Sequence, residues 1–323
     1  MTRPAPSRGY RTHDPVRPTT KDAKTSNRCI LSPVTLSVVI ITHNEEANLA
    51  RTLESVKPLV REGKGEIIVV DSGSTDRTVE IAESCGAKVF VEAWKGYAAQ
   101  KNSAIEKATG DWILSLDADE ELDAALQQAL ADTIEGLDLV GSFQRQPDVH
   151  PITLQDARTD AELHIGTKLS PEFAGLWIPR KNEFLCRWIR HGGFWPDPKI
   201  RFFRRGMGKF ADRAVHETLI ITGQAGKIRH GALLHHSYPT FSDYIDHMNR
   251  YSSLGAEMAV AKGQRGSIIN IVIRPLATFI YNYFFRLGFL DGREGLLLHL
   301  YHAVYVSWKY AKVWELSHPE KQR

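Results

Sequence analysis

The stretch Trp112-Ile113-Leu114-Ser115-Leu116-Asp117-Ala118-Asp119 decides the fold of this chain. Its apolar run follows Gly110 and predicts a strand buried on both faces. The run ends abruptly in Asp117, Asp119 and Glu120, three carboxylates within four positions. Ligands of open α/β sheets bind at the carboxyl ends of strands, and Mg²⁺ prefers one or two carboxylates completed by phosphate oxygens. The stretch therefore indicates a divalent cation shared with a diphosphate, with a solvated acidic loop as the alternative.

Two strands upstream of this stretch also end in polar clusters. Leu36–Thr42 is a continuous apolar run that leads into His43-Asn44-Glu45-Glu46. Glu66–Val70 is a second such run, and it leads into Asp71-Ser72-Gly73-Ser74. Both runs are rich in β-branched residues and predict buried strands.

Helical segments are expected between these strands. The first begins at Asn44 as N-cap, continues to about Val56 and stops before Pro58. The other predicted elements are a helix from about Asp76 to Gly86, a strand over Lys88–Val91 and a helix from about Gly96 to Ala108. This alternation predicts an α/β fold with a mainly parallel, doubly wound, Rossmann-like sheet. The three polar clusters should then meet at one edge of it.

Amino-acid composition separates an N-terminal tail from the rest of the chain. The chain has 323 residues and a net charge of +3, but residues 1–34 alone carry +5. This tail is rich in Pro, Ser and Thr and is predicted to be disordered. The remainder is therefore −2, which does not indicate a nucleic-acid-binding protein. The tail also lacks the apolar core of a signal peptide.

The cysteine content indicates the redox compartment of the protein, and the lengths of its apolar runs test for membrane-spanning helices. Cys29, Cys85 and Cys186 are far apart and form no CxxC pair, so neither a disulfide framework nor a zinc site is expected. A reducing cytoplasmic setting fits this pattern. No run reaches about 18 uninterrupted apolar residues, so no membrane-spanning helix is predicted.

Three segments together resemble family 2 glycosyltransferases of the GT-A fold. They are Leu36-Ser-Val-Val-Ile-Ile-Thr-His-Asn-Glu-Glu46, Ile68-Val-Val-Asp-Ser-Gly-Ser-Thr-Asp76 and Trp112-Ile-Leu-Ser-Leu-Asp-Ala-Asp119. Downstream segments are similar to the branch with the lipopolysaccharide core glucosyltransferases of the WaaE/KdtX type. These are Trp177-Ile-Pro-Arg-Lys-Asn, Arg187-Trp-Ile-Arg-His-Gly-Gly-Phe-Trp-Pro-Asp197, Val215-His-Glu217 and Arg286-Leu-Gly-Phe-Leu-Asp-Gly-Arg293. The resemblance covers roughly residues 35–315.

The resemblance implies a division of the chain. Residues 35–225 would form the catalytic GT-A domain, with a nucleotide half at about 35–130 and an acceptor half at about 131–225. Residues 226–323 would form a helical C-terminal extension. A dinucleotide-binding Rossmann domain is excluded, because no GxGxxG follows the first strand.

The nucleotide and metal residues are carried over from the family motifs. By this resemblance Thr42, Asn44 and Glu45 line the base and ribose pocket, and Asp71 accepts a hydrogen bond from the base. Ser72 and Gly73 offer free backbone N–H groups, and Lys101 faces the nucleotide or its phosphates. Asp119 is the expected direct ligand of a Mg²⁺ or Mn²⁺ ion, while Asp117 contacts the ribose or the metal through water. His216 would touch the metal or the diphosphate. Without the resemblance, Glu45 would be read as complementing a helix dipole, and Lys101 as a solvated helix lysine.

A family 2 enzyme inverts the anomeric carbon in a single displacement and needs one base for the acceptor hydroxyl. Two carboxylates are candidates, Glu217 in Val-His-Glu and Asp197 in Trp-Pro-Asp. The family commonly places its base just after the strand that corresponds to Ile200–Phe203, which favours Glu217. This chain has His-Glu where many relatives have Glu-Asp, so both candidates stay open.

The acceptor side is predicted in a strongly basic, tryptophan-rich segment. Residues 177–213 hold ten basic against three acidic side chains, a charge of +7. Arginine forks bind phosphates and aromatic faces stack on sugars, which suits a phosphorylated glycolipid. The candidate acceptor residues are Arg187, Trp188, Arg190, His191 and Trp195. Single-stranded nucleic acid and plain surface arginines are the alternatives.

The C-terminal region is apolar and aromatic. Leu276–Phe285 and Leu296–Trp308 are interrupted by Arg274-Pro275 and Asp291-Gly292-Arg293, and each is too short to span a bilayer. They are typical of helices lying in a membrane interface. Packing against the catalytic domain or a second subunit is the alternative. We expect peripheral attachment to the cytoplasmic face of the inner membrane.

The sequence therefore predicts an inverting, metal-dependent transfer of a hexose, glucose by expectation, from a UDP-sugar to a lipopolysaccharide core or related glycolipid. The same chemistry on a polyprenyl-phosphate, capsule or protein acceptor is one alternative. A nucleotidyltransferase is another, although the chain lacks a Gly- and Lys/Arg-rich loop after its first strand. A non-catalytic nucleotide-sugar binder is the third.

Overall fold

A computed structural model describes residues 1–2, 35–61, 63–140, 151–152, 173–211 and 218–318 of the chain. Residues 33–323 form one compact unit. The predicted disordered tail, apart from Met1 and Thr2, lies outside the described residues.

The first part of the chain alternates strands and helices, as predicted. Its elements are β1 (Leu36–Thr42), α1 (Leu49–Val60), β2 (Gly65–Asp71), α2 (Thr78–Ser84), β3 (Lys88–Val91), α3 (Tyr97–Glu106), β4 (Trp112–Asp117), β5 (Glu120–Leu122) and α4 (Ala124–Val140). Strands β1 to β4 pair in parallel, with Thr42 opposite Asp71 and Ile41 opposite Asp117. The predicted α/β fold with a mainly parallel sheet is confirmed, and the three polar clusters meet at one edge.

The predicted start and end of the first helix were wrong. Asn44 is not an N-cap: it has a left-handed backbone (φ 55°), which Asn tolerates, and its side chain accepts a hydrogen bond from the N–H of Thr75 at 2.8 Å. The helix begins at Leu49 and continues through Pro58 to Val60. Leu59 is buried in the core beneath the sheet, and this burial holds the last turn in helical form.

The remaining strands complete a mixed sheet and two smaller sheets. They are β6 (Pro151–Ile152), β7 (Phe173–Ile178), β8 (Arg180–Phe184), β9 (Arg187–Trp188), β10 (Lys199–Arg204), β11 (Gly208–Ala211), β12 (Thr218–Thr222), β13 (Gln224–Lys227) and β14 (Leu233–Tyr238). The central order is β13-β7-β10-β4-β1-β2-β3, with β10 antiparallel to β4. A separate sheet, β5-β14-β8-β9, continues directly from the acidic stretch, because β5 follows it in the chain.

The C-terminal helices begin later than predicted. Strand β14 pairs with β5 and β8, so the helical region starts at α5 (Phe241–Ala261) rather than at residue 226. Thr240 and Asp243 cap α5 reciprocally, which fixes its first turn. The next helical run comprises a π-helical turn at Ile269–Ile273, α6 (Arg274–Ile280) and a second π-helical turn at Tyr281–Phe285. After a 3₁₀ turn at Gly288–Asp291, α7 (Gly292–Leu316) completes the described fold.

The predicted interruption at Arg274-Pro275 does not end the helical run. Pro275 stands at the start of α6, just after a π-helical turn, where its missing N–H is tolerated. The apolar side chains of this run and of the first turns of α7 remain exposed, Ile268 at 79% and Phe285 at 74%. We call the exposed apolar side chains of residues 268–300 the C-terminal apolar face. No helix in the described ranges combines the length and apolar character needed to cross a membrane.

One buried carboxylate fastens this helical region to the loop that follows β9. The N–H groups of Arg190 and His191 donate to Asp291 at 3.1 and 2.8 Å, and Nδ1 of His191 lies 3.0 Å from it. The N–H of Gly192 donates to the carbonyl oxygen of Arg286 at 2.8 Å. We call these contacts the Asp291 clamp.

Candidate active site

A cavity of about 1120 Å³ opens at the carboxyl edge of β1, β2 and β4. Thr42, Glu45, Ser72, Lys101, Asp117 and Asp119 line it on the side of the parallel strands. Further lining residues come from α3, β7, β8, β10, β11, β12, β14 and α5. The predicted convergence of three strand ends therefore produces a real cleft, of a size that holds a nucleotide sugar.

Asp117 is held by cations rather than left open. Nζ of Lys101 lies 2.7 Å from its Oδ1, and Arg201 of β10 binds its Oδ2. Arg201 also binds Oε1 of the buried Glu120 at 2.7 Å, and Arg180 binds the same oxygen at 3.0 Å. Burial alone would raise the pKa of Asp117, but the charges of Arg201 and Lys101 hold it well below its usual range. The carboxylate is thus ionised and already neutralised.

Asp119 faces a histidine that the sequence did not single out. Its Oδ2 lies 3.2 Å from Nε2 of His235 on β14. Nδ1 of that ring lies 2.7 Å from Oδ1 of Asn182, whose amide nitrogen points to Asp197 and to the carbonyl of Phe194. Oγ of Ser237 also lies 2.6 Å from Nδ1. In the tautomer that carries its proton on Nδ1, the Nε2 lone pair is directed at the carboxylate, whereas in a protonated ring Nε2 donates to Asp119. Two acceptors at this distance require a proton or a cation between them.

Asp119 and His235 fit a small divalent cation. One carboxylate and one imidazole leave further positions for phosphate oxygens, as Mg²⁺ or Mn²⁺ bound to a nucleotide requires. Burial alone would raise the pKa of Asp119, but the charge and hydrogen bond that His235 supplies when it is protonated outweigh burial, and the net pKa is lowered. No group of three or more His, Cys, Asp or Glu side chains suited to a metal occurs among the described residues. The protein would therefore supply two ligands, and the substrate the rest.

The turn after β2 is organised around buried Asp71. Its carboxylate accepts hydrogen bonds from the N–H groups of Gly73 and Ser74, both at 2.8 Å, and from the hydroxyls of Thr42 and Ser74. A base would have to displace one of these donors, so the role of Asp71 in base recognition stays a prediction. Ser72 lines the cavity with a buried hydroxyl that has no hydrogen-bond partner among the described residues. The backbone N–H groups that were predicted to be free are engaged, because Ser72 donates to the carbonyl oxygen of Thr42 and Gly73 donates to Asp71.

The other predicted nucleotide residues divide into two groups. Glu45 and Lys101 line the cavity, and burial raises the pKa of Glu45. Asn44 is not among the lining residues. It holds the first loop to the second, because its N–H donates to Ser74 and its side chain accepts from Thr75. Thr42 lines the cavity and binds Asp71 at 2.9 Å.

The two base candidates have different outcomes. Glu217, together with the predicted metal contact His216, lies outside the described residues, so both stay predictions. Asp197 is bound by Arg180 at 2.7 Å and by Lys199 at 2.9 Å. Burial alone would raise the pKa of Asp197, but these two cations lower it to about 2. A carboxylate that acidic is a weak base while the two ion pairs persist.

The predicted acceptor residues do not line the cavity. Arg187 pairs with Glu294 at 3.6 Å, and His191 belongs to the Asp291 clamp. Trp188 packs edge-on against His236, and Trp195 lies beneath Lys181. Arg190 donates its backbone N–H to Asp291. Their role in acceptor binding stays a prediction.

Arg180 and Arg201 were counted only among the basic side chains of the predicted acceptor segment, residues 177–213. Sequence reasoning assigned no individual role to the residues that distant segments bring to the cavity. They are Arg180, Arg201, His235, Tyr238, His247, Arg250 and Tyr251. One signal was available for His235, because it follows the apolar pair Leu233-Leu234 just as the acid pair follows its strand. For the residues of α5, no local pattern distinguishes them from an ordinary amphipathic helix.

Comparison with known proteins gives one family. The profile described as Glycosyl transferase family 2 matches residues 37–193. The lipopolysaccharide core biosynthesis glycosyltransferase LpsC of Rhizobium meliloti is 30% identical over 288 residues, which cover 87% of this chain and 92% of that protein. An uncharacterized glycosyltransferase of Rickettsia typhi is 31% identical over 290 residues, 87% of each chain.

A solved structure is similar over a shorter part. It is glucosyl-3-phosphoglycerate synthase from Mycobacterium tuberculosis, in complex with Mn²⁺, UDP and glucosyl-3-phosphoglycerate. It is 29% identical, with a TM-score of 0.28, and the match covers 32% of this chain and 40% of that chain.

Proposed function

The chain belongs to glycosyltransferase family 2, and from that membership we propose that it transfers a hexose from a UDP-sugar to a lipopolysaccharide core or related glycolipid, with inversion. Glucose is the proposed hexose. The observation that carries the proposal is the facing pair Asp119 and His235, in a cavity that Ser72 also lines. This pair suits a cation that is completed by a diphosphate.

The roles follow from the geometry of the cavity. Ser72 and Glu45 would bind the nucleoside, while Lys101 and Arg201 fix Asp117 beside it. A divalent cation held by Asp119 and His235 would supply positive charge to the departing UDP. In the transfer, the acceptor hydroxyl oxygen forms a bond to the anomeric carbon as the bond to the diphosphate oxygen breaks. A carboxylate takes the hydroxyl proton, and Glu217 is the proposed base because Asp197 is occupied by ion pairs.

A donor screen with metal titration tests this proposal. UDP release from a panel of UDP-sugars is measured for wild type and Asp119→Ala, with Asp111→Ala, at the opposite end of β4, as the matched control. We expect loss of at least about a hundredfold in Asp119→Ala and little change in the control. Full turnover in Asp119→Ala would contradict the cation site. Full activity in Glu217→Gln would return the base role to Asp197.

The acceptor is proposed to be reached at a membrane surface. Residues 262–300 hold five basic side chains against Asp291 and Glu294. Asp291 is engaged in its clamp and Glu294 pairs with Arg187, so the surroundings of the C-terminal apolar face are positive. Two copies meeting through this face would bring like charges together, whereas anionic lipid complements them. We place the enzyme peripherally on the cytoplasmic face of the inner membrane.

A further inference from the structure

We propose that α5 supplies an anion-binding site to the cavity, with Arg250 as its cation and the rings of His247 and Tyr251 as its sugar platform. The inference rests on the proposed function, since it concerns a phosphate group of one of that reaction's substrates. It differs from the sequence prediction, which put acceptor recognition at Arg187–Trp195.

Side chains that line one cavity extend from the acid pair to this site. Asp119 faces His235 on β14, and Tyr238 lies three residues further along that strand. The ring of Tyr238 meets the ring of His247 edge-on, with centroids 5.4 Å apart. His247 in turn stacks on Tyr251 at 4.1 Å with an interplanar angle of 16°. All of these side chains line the same cavity, so a ligand that reaches from Asp119 to α5 meets protein along the way.

Charge distinguishes Arg250 from the other cations of the cavity. Lys101, Arg180, Lys199 and Arg201 are each bound to a carboxylate of the site. Arg250 makes no ion pair with any described residue, and its guanidinium carbon lies 5.9 Å from the ring centroid of Tyr251. Of the two acids on the adjoining surface, Asp243 is engaged in capping Thr240, and Asp246 makes no ion pair with Arg250. Among the Lys and Arg side chains that line the cavity, Arg250 is therefore the one without a carboxylate partner among the described residues.

The chemistry of these groups selects a phosphorylated sugar. A guanidinium fork binds two phosphate oxygens at once, which a lysine cannot reproduce. An aromatic face next to it suits the apolar side of a pyranose ring. The phosphate could belong to the acceptor or to the donor diphosphate, and both sources carry the same group.

Binding measurements distinguish the two sources. The probes are UDP with Mg²⁺, followed by calorimetry, and glucose 6-phosphate against glucose, followed by NMR at saturating UDP. The variants are Arg250→Ala and Arg250→Lys, with Arg61→Ala, an exposed arginine at the end of α1, as the control. Thermal melting of each variant checks that it is folded. Loss of one charge-assisted contact should weaken the affected probe about tenfold in Arg250→Ala and less in Arg250→Lys.

The results of these binding measurements assign the phosphate to the acceptor or to the donor, or they overturn the inference. Weaker glucose 6-phosphate with unchanged glucose and UDP supports the site and assigns the phosphate to the acceptor. Weaker UDP supports the site and assigns the phosphate to the donor. Unchanged affinity for both probes overturns the inference. A wild type that binds no UDP would instead contradict the proposed function, while the sugar-phosphate comparison would still test Arg250.

Discussion

The sheet edge and the C-terminal apolar face depart from the usual distribution of side chains in opposite ways. At the sheet edge, charged groups are buried: Arg201 is 5% exposed and Glu120 is fully buried. On the C-terminal face, large apolar side chains are exposed. The buried charges of Asp117, Glu120, Lys101 and Arg201 are paired with each other within the chain. The apolar face has no comparable partner among the described residues, which is typical of a surface that binds a partner or a membrane.

The largest effect should come from breaking the buried network. Arg201→Met leaves Asp117 and Glu120 without their shared cation, and we expect the free energy of unfolding to fall by about 3–5 kcal/mol. Urea denaturation measures this, with Arg61→Met as a surface control that should stay within about 0.5 kcal/mol. A loss below about 1 kcal/mol in Arg201→Met would mean that the network is solvated.

The second effect concerns the same edge but not its stability. His235→Asn should raise the Mg²⁺ or Mn²⁺ concentration for half-maximal UDP release by at least about tenfold, because one of two protein ligands is lost. His230→Asn, at an exposed histidine five residues earlier, is the control. An unchanged metal requirement in His235→Asn would remove His235 from the cation site.

On the other side of the comparison, polar substitutions should affect lipid binding alone. We expect a triple variant, Val272→Ser with Leu276→Ser and Phe285→Ser, to bind anionic vesicles about tenfold or more weakly. The reason is that each of the three apolar side chains it loses is expected to be buried in the membrane interface. Val91→Ser, an exposed apolar residue on β3, should have no effect. If the wild-type protein does not bind vesicles but sediments as a dimer, the partner of this face is a second copy of the chain.

The last effect is gradual, because it is spread over a range of pH, and it comes from a histidine on the buried side of the helical region. Burial lowers the pKa of His302 to about 4, below its ordinary value of 6.5. Between these values the unfolded chain binds a proton that the folded protein does not. Stability should therefore fall as pH drops from about 6.5 towards 4, by up to about 1.4 kcal/mol per pH unit. Denaturation at several pH values should show a smaller slope in His302→Phe, and an equal slope would contradict the assignment.

What could be predicted from sequence follows the same division. Strands β1 and β3 were predicted with the observed bounds. Burial on both faces gives β1 its unbroken apolar run, whereas β3 is a mostly exposed edge strand to which this reason does not apply. The acid pair was recognisable because its carboxylates are neighbours in the chain. Its cation Arg201 was not, since it lies 84 residues from Asp117 and comes from an antiparallel strand. Pairing across such distances leaves no local pattern.

The C-terminal helical region shows a second reason why the sequence did not predict the whole fold. Apolar content predicted helices there, but the prediction started the first segment, Leu276–Phe285, only after an interruption at Arg274-Pro275. A proline after a π-helical turn is accommodated because hydrogen bonding is already shifted. Likewise, Asn44 adopts a left-handed backbone to reach Thr75, a contact between loops that capping rules do not include.

The Asp291 clamp has a consequence for the choice of acceptor. Because it fastens the helical region to the loop after β9, the apolar face and the catalytic cleft cannot change their separation freely. An enzyme bound to a bilayer through that face would hold its catalytic cleft at a fixed distance from the membrane surface. Acceptors would be selected by how far their terminal sugar rises from the lipid, and shortening the glycan by one sugar should slow transfer on vesicles but not in detergent.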